Sequence, residues 1–340
     1  MTSRLLSFCF SVLAFASGLL LTLPGNGALA QSQFVTTSQV SQKQRLKSES
    51  EILRFMNDYR EVKEPDRVPE IVQGMVRAGL LKDPEKAGVY TGFIAGFISE
   101  NQIDAPRLIG EMFPMPPVEQ VVLIKAIAFS GLPNWKEILG QFVERMPARK
   151  VLVEKFLFGD GKTLQELTMD DPYVIDTHWG FYFATGGWEP AIRIISALEW
   201  ADDENDVEKL TIGSMAKWTL ASNAARDKNL LDLAKLQLSY QEPSVRKELR
   251  DVIEAAELYE IGRLRETALK RIDTLRAGGP KKARDWQKYG SYGTTALALG
   301  CVVASALGQV QFGIPCVVGG ALSTAAVKYL GPGAEGQTAK

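Results

Sequence analysis

Apolar residues recur at helical spacing through most of the chain. Leu53, Phe55, Met56 and Tyr59 set the pattern, since apolar positions three or four residues apart share one face of an α-helix. Strand-like alternation around Asn-Gly or Asp-Gly turns does not occur in the body of the chain. The sequence therefore predicts an all-α protein, with roughly a dozen short helices between residues 51 and 288.

Prolines and glycines mark the expected helix boundaries. An acidic cap followed by proline in the first turn satisfies free backbone amides and fixes a helical φ. This pattern occurs at Asp83-Pro84, Asp104-Ala105-Pro106, Asp171-Pro172 and Glu242-Pro243. Glycines near the predicted helix ends are Gly79, Gly110, Gly131, Gly140 and Gly159.

Four segments share one arrangement, in which an apolar helix and a turn of small residues precede an amphipathic helix. Phe97, Phe129, Phe183 and Leu220 are equivalent points, separated by 32, 54 and 37 residues. Periods of about 34 to 40 residues are typical of helical-hairpin solenoids. The gap of 54 residues breaks the periodicity. Residues 51–240 are therefore predicted to form an irregular α-solenoid of helical hairpins, with a helical bundle as the alternative.

The first 30 residues have the pattern of a secretory signal peptide. Arg4 precedes an apolar run over residues 5–23, and Pro24 and Gly25 come before an Ala28-Leu29-Ala30 cleavage site. An uncleaved anchor is the alternative. The mature chain is expected to start at Gln31 with a flexible polar leader over 31–50. A bacterial periplasm or cell envelope is the predicted location, with membrane association, and secretion is the alternative.

Residues 241–288 are predicted to form a long basic helix, from Pro243 to about Arg276, and a linker. Basic residues exceed acidic ones here, next to an uncharged segment. Attraction to anionic lipid headgroups and an ordinary solvated helix face both explain that excess. The residues nearest the uncharged segment, the basic collar, are Lys281, Lys282, Arg284 and Lys288.

Residues 289–330 form an apolar segment, uncharged as far as Val327, with many glycines and alanines. Small residues at intervals of four predict a ridge on each of two helices, as in close-packed membrane helix pairs and glycine-zipper segments. Membrane insertion of this hairpin and soluble packing against the body both remain open; residues 331–340 are expected to be a disordered tail. The ridge residues are Ala296, Gly300, Ala304 and Gly308, facing Cys316, Gly320 and Thr324.

The composition limits which partners, cofactors and metals the chain is expected to bind. The 39 basic and 40 acidic residues nearly cancel, which argues against nucleic acid as a partner. His178 is the single histidine, and phosphate-loop, dinucleotide and His-Glu-x-x-His motifs are absent. No cofactor and no metal are therefore predicted. Cys301 and Cys316 could form a disulfide after export.

One polar-aromatic cluster contains the residue types of acid–base catalysis. Its residues suit helix packing and capping better than catalysis, so a catalytic role is the weaker interpretation. The acidic run at 202–206 lacks the glycine and final glutamate of a calcium loop, which favours helix capping. Trp135, Trp188 and Trp218 are expected to pack within hairpins. The cluster consists of Asp170, Asp171, Asp176, His178, Trp179, Tyr182 and Trp188.

The leading functional prediction is an exported, non-enzymatic helical scaffold or protein-binding module. It would bind another protein, contact the membrane through 289–330 and form a homo-oligomer through the same segment. A secreted protein that inserts into a bilayer is the alternative. An enzyme using the carboxylates between Asp170 and His178 is a third hypothesis.

Overall fold

The computed structural model describes residues 48–277, and these form helices and turns with no strand in that range. The all-α prediction is confirmed, and the thirteen α-helices of this range match the expected number. They are α1 (Glu49–Asp58), α2 (Val68–Ala78), α3 (Gly88–Glu100), α4 (Ala105–Glu111), α5 (Gln120–Ala128), α6 (Trp135–Gly140), α7 (Lys150–Phe158), α8 (Pro172–Thr185), α9 (Trp188–Ser196), α10 (Val207–Ala224), α11 (Lys228–Gln237), α12 (Pro243–Glu257) and α13 (Ile261–Ala277).

Local sequence signals fix most helix starts. Asp171 accepts a hydrogen bond from the Tyr173 amide at 2.8 Å and so caps α8, as predicted. Asp206 and Asp227 cap α10 and α11 in the same manner. Proline also occupies the first turn of α4 and of α12, but the prediction that Asp104 and Glu242 cap these helices is wrong, because neither side chain accepts a capping hydrogen bond.

The prediction of a helix start at Asp83-Pro84 is wrong. The Lys86 amide donates to the Asp83 carbonyl at 3.0 Å, which closes a turn around Pro84. The Asp83 carboxylate pairs with the Lys86 ammonium at 2.9 Å, and α3 starts only at Gly88. A local ion pair thus occupies the carboxylate that was expected to cap a helix.

Three helices form the centre of the body. Every residue of α3 from Gly88 to Ile98 is buried, and α8 and α10 are buried on almost all sides. Helices that are apolar around their whole circumference belong in the core of a large domain. The shorter amphipathic helices, among them α1, α2 and α9, cover this centre with one face each.

Helices α3 and α8 touch through their backbones. A Cβ atom added to Gly92 would lie 1.8 Å from the Thr177 carbonyl oxygen, and one added to Gly180 would lie 2.0 Å from the Val89 carbonyl oxygen. Only glycine permits such an approach. Gly88, Gly92 and Gly96 recur every four residues and so place one small-residue ridge of α3 against α8.

Three of the four predicted hairpins form pairs of packed helices: α5 with α6, α8 with α9, and α10 with α11. In the first unit, α4 packs against α2 rather than against α3. The most extensive contact joins α3 to α8, which belong to units that are not adjacent in the chain. Repeats of a solenoid contact only their neighbours. The all-α class is thus confirmed, whereas solenoid stacking is not.

The single long helix predicted from Pro243 to Arg276 is wrong. Helix α12 ends at Glu257 and α13 begins at Ile261. Tyr259 has a φ of 56°, and the Glu260 amide donates to the Ala255 carbonyl at 3.0 Å. This hydrogen bond and the left-handed residue are those of a helix-ending Schellman motif. Glycine usually fills that position, so a tyrosine there leaves no signal in the sequence.

Candidate functional site

A cleft of about 490 Å³ lies between α5, α7 and the first turn of α8. We name it the α7 cleft. Residues 160–171, which connect α7 to α8, close one side of it. Its volume is within the range of ligand-binding pockets, roughly 300 to 1,000 Å³.

The floor of the α7 cleft is apolar. Phe129 directly follows α5, Leu152 and Phe156 come from α7, and Leu167 and Val174 come from the connection and the start of α8. Phe129, Phe156 and Val174 are almost fully buried, whereas Leu152 and Leu167 are half-buried. The two half-buried leucines therefore offer the floor's accessible apolar surface.

The rim carries charges of both signs, and several are already paired. Lys125 reaches Glu85 at 3.4 Å, and its ammonium lies 4.4 Å from the centre of the Tyr173 ring. Lys155 pairs with Asp160 at 3.6 Å. The rim therefore has little net charge to attract a strongly charged ligand.

The first turn of α8 is held in place on the inner side of the cleft. The Tyr173 hydroxyl donates to Thr91 Oγ1 on α3 at 3.3 Å. Burial raises the pKa of the Tyr173 phenol above its usual value, so the phenol stays protonated. Asp171 is committed to capping α8. This wall of the cleft is consequently rigid.

Helix α7 also presents apolar side chains to solvent outside the cleft. Phe158 is 84% exposed and Val151 is 82% exposed. A large exposed apolar side chain next to an apolar cleft is a feature of protein-binding surfaces.

His178 is buried on α8, and it does not line the cleft. Burial, together with the positive charge of Arg193, lowers the pKa of its imidazole to about 3. Neither ring nitrogen has a hydrogen-bond partner among the described residues. The histidine is therefore neutral and poorly suited to act as a general base at neutral pH.

The other members of the predicted polar-aromatic cluster are dispersed. Asp170 and Asp171 line the α7 cleft, and Asp176 is buried on α8. The Trp179 indole donates to Thr219 at 3.1 Å on α10. Tyr182 donates to Asp227 at 2.6 Å. The structure does not bring these residues together as one catalytic site.

The three tryptophans differ in their environments. Trp218 is 2% exposed, and Trp135 packs edge-on against Phe156, as expected for hairpin packing. Trp188 is 56% exposed, so its predicted packing is wrong. It is the first residue of α9, where its side chain faces outward instead of toward the core.

The acidic run at 202–206 caps helix α10, as predicted. Asp203 Oδ1 accepts from the amides of Asn205 and Asp206, and Asp206 accepts from the first amides of α10. Within residues 48–277 no group of His, Cys, Asp and Glu side chains is arranged to hold a metal ion.

A second, smaller cavity of about 70 Å³ lies where α10, α12 and α13 meet. Lys217 pairs there with Glu248 at 2.6 Å and with Asp251 at 2.7 Å. Arg271 pairs with Asp202. The cations of this cavity are thus neutralised within the protein, which makes the α7 cleft the better candidate.

Many predicted residues lie outside the part of the chain that the structure describes. These are the signal peptide, the basic collar (Lys281, Lys282, Arg284 and Lys288), the ridge (Ala296, Gly300, Ala304, Gly308, Cys316, Gly320 and Thr324) and the Cys301–Cys316 pair. Among the helices between residues 48 and 277, none is both long and apolar enough to span a bilayer.

The floor of the α7 cleft was not identified from the sequence. Its residues come from α5, α7 and the connection to α8, and each looks like ordinary core on its own. The available signal was Lys125, a lysine inside the otherwise apolar α5.

No protein-family model, no curated protein and no solved structure matches this chain.

Proposed function

We propose that the protein is a non-enzymatic helical scaffold that binds an apolar segment of a partner protein in the α7 cleft. The observation that carries this proposal is the apolar floor surrounded by charges that the chain itself pairs. Protein interfaces have the same layout, with an apolar centre and a polar rim.

The occupant that best fits is a segment with at least one large apolar side chain. Leu152 and Leu167 supply accessible apolar surface at the floor, and Phe158 is a further exposed apolar side chain of α7 outside the cleft. Interfaces obtain most of their affinity from a few large side chains in such pockets. Mixed rim charges favour a polar peptide backbone around that anchor over a strongly charged ligand.

The test is a Leu152→Glu variant, which places a carboxylate on the floor of the cleft. Leu236→Glu is the matched control, because Leu236 is a 44% exposed leucine on α11, away from the cleft. Partner capture from envelope extracts, followed by cross-link mapping, should fall at least about tenfold in Leu152→Glu alone. Equal capture by both variants, or cross-links away from α5, α7 and α8, would contradict the proposal.

Export and tethering form the second part of the proposal. The signal pattern of residues 1–30 and the uncharged segment at 289–330 support an envelope scaffold held at the membrane by its C-terminal hairpin. Gly300→Leu raises hydrophobicity but blocks close helix approach, so membrane retention should fall, whereas Leu299→Ile should have no effect. Stronger retention of Gly300→Leu would replace the ridge with a plain apolar anchor.

The alternative proposal is a secreted protein whose C-terminal segment inserts into a target bilayer. It rests on the same uncharged segment and basic collar. Fractionation separates the two proposals. Retention in the membrane fraction of the producing cell favours the scaffold, and release into the medium with leakage of liposomes favours insertion.

A further inference from the structure

Three buried side-chain nitrogen atoms near the α7 cleft lack hydrogen-bond partners. Both ring nitrogens of His178 and the Nε atom of Arg193 are buried and unpaired within the described chain. His178 is 3% exposed. Leaving such groups unpaired in the interior is unfavourable, so a ligand that supplies the missing partners would bind more tightly.

Each of the two side chains neighbours a residue that lines the cleft. Val174 lines the cleft, and His178 follows it by four residues on the same face of α8. Arg193 of α9 donates from Nη2 to the Leu167 carbonyl at 2.9 Å, and Leu167 also lines the cleft. Val174 and Leu167 therefore link the wall of the cleft to His178 and Arg193.

The charge of this pair defines the missing partner. Arg193 forms no ion pair within the described residues, and its charge acts on His178. A neutral imidazole has one N–H to donate, and the Arg193 Nε–H is a second donor. The two N–H groups of the pair lack an acceptor, and an anionic acceptor would also balance the guanidinium.

We propose that Arg193 and His178 form a carboxylate subsite at the inner end of the α7 cleft, occupied by an acidic side chain of the partner segment. This inference rests on the proposed function. A carboxylate offers two acceptor oxygens and pairs with an arginine in a planar, two-point geometry. The partner would then be recognised by an acidic residue next to its large apolar anchor.

Entry to the subsite requires movement of Leu167. This residue is half-buried and lies in the irregular connection before α8. Rotation of its side chain would open the wall without breaking a backbone hydrogen bond of α8. Arg193 as a whole is half-buried, although its Nε atom is buried.

The test uses the full chain and two small probes, 3-phenylpropionate and its uncharged amide. Because His178 is the single histidine, ¹⁵N labelling of histidine gives one unambiguous imidazole spectrum. The carboxylate should bind at least about tenfold more tightly than the amide, as expected for hydrogen bonds to a charged group. It should also shift both imidazole nitrogen resonances.

Arg193→Met should remove the preference for the carboxylate and leave the affinity for the amide unchanged. Arg246→Met is the matched control. Arg246 also donates from Nη2 to a backbone carbonyl, that of Gln241 at 3.0 Å, and has a buried unpaired Nε, but it lies on α12 outside the cleft. If Arg193→Met does not fold, Arg193→Gln, which keeps side-chain N–H donors without the charge, should lose the preference in its place.

The other outcomes of the binding experiment also decide whether the carboxylate subsite exists and what occupies it. Equal affinity for the two probes, or no binding of either, overturns the carboxylate subsite and would leave a water molecule as the partner of His178. Competition between 3-phenylpropionate and the captured partner supports the partner's acidic side chain as the source. Binding without competition overturns that source and assigns the subsite to a free carboxylic acid. The proposed function itself fails only through the Leu152→Glu comparison.

Discussion

The contact between α3 and α8 and the contact between α10 and α12 show two different ways of joining helices. In the first, backbones meet directly, and Gly92 lies against the Thr177 carbonyl with no room for a side chain. In the second, the long side chain of Lys217 extends to Glu248 and Asp251. The first contact depends on the absence of side chains between the helices and the second on paired charges. Different substitutions should therefore weaken the two contacts.

The largest expected effect is that of Gly92→Ala. Its new methyl group would overlap the Thr177 carbonyl, so α3 and α8 must separate or the backbone must bend. We expect a loss of at least about 3 kcal/mol in the free energy of unfolding, the upper end for overpacked cores. Urea unfolding followed by circular dichroism measures it.

Gly140→Ala is the matched control for that substitution. A Cβ atom there meets nothing within 4 Å, and Gly140 is the last residue of α6. Alanine should be neutral or stabilise by a few tenths of a kcal/mol. Similar urea midpoints for the two variants would show that α3 and α8 do not touch through their backbones.

Breaking the charged contact should have the next largest effect. Lys217→Met would leave the Glu248 carboxylate, whose side chain is 5% exposed, without its closest cation at 2.6 Å. Removing one partner of a buried ion pair costs roughly 3 to 5 kcal/mol; because Lys247 lies 3.4 Å from Glu248, we expect about 3 kcal/mol.

Lys228→Met is the control, since the Lys228–Asp232 pair is exposed and should contribute less than about 1 kcal/mol. The double variant Lys217→Met with Glu248→Gln should recover much of the loss. A double variant no more stable than Lys217→Met would mean that packing, rather than charge, holds α10 to α12.

The two contacts also differ in how far the sequence predicts them. Gly88, Gly92 and Gly96 have the same spacing of four as Ala296, Gly300 and Ala304, where a ridge was predicted. A small-residue ridge shows that a helix approaches another closely, but not which one. The partner of α3 is α8, more than 80 residues further along the chain. Pairing of this kind depends on the whole fold.

Features that depend on neighbouring residues were predicted better than features formed by segments distant in the chain. The capping of α8 by Asp171 depends on neighbouring residues and follows from the sequence. The α7 cleft is assembled from segments between Lys125 and Val174, and no segment has a motif of its own. The end of α12 was missed for a different reason, because Tyr259 adopts a conformation that glycine normally signals.

A pH titration should show opposite contributions from two buried groups of the α3–α8 region. Burial raises the pKa of Glu49, at the start of α1, from 4.5 to about 7, and its Oε1 accepts from the Tyr90 hydroxyl of α3 at 3.4 Å. Its contribution is fully present below pH 4.5 and is lost as the pH rises through 7. Burial lowers the pKa of His178 from 6.5 to about 3, so its contribution is lost as the pH falls below 6.5.

Between pH 4.5 and 6.5 the two groups should change the free energy of unfolding in opposite directions, so their effects should cancel. The Glu49→Gln variant should lack the decline in stability as the pH rises through 7. Its stability relative to the natural protein should grow to about 3 kcal/mol at pH 8, at 1.36 kcal/mol per pKa unit. Chemical unfolding at several pH values gives this difference. A difference that does not change with pH would show that folding does not shift the pKa of Glu49.

The smallest expected effect on stability is that of a substitution at Tyr259, in the turn between α12 and α13. Tyr259 has a φ of 56° and is 75% exposed, whereas Tyr240, in the turn before α12, is 74% exposed without a positive φ. A side chain in the left-handed region costs roughly 1 to 2 kcal/mol, which glycine avoids. Tyr259→Gly should therefore stabilise the protein by about 0.5 to 1 kcal/mol, and Tyr240→Gly should destabilise it by a similar amount because glycine gains entropy on unfolding.

Thermal unfolding of both variants measures the sign of each change in stability. Because the two side chains are equally exposed, opposite signs isolate the backbone, and a destabilised Tyr259→Gly would mean that the tyrosine ring itself holds α13 in place.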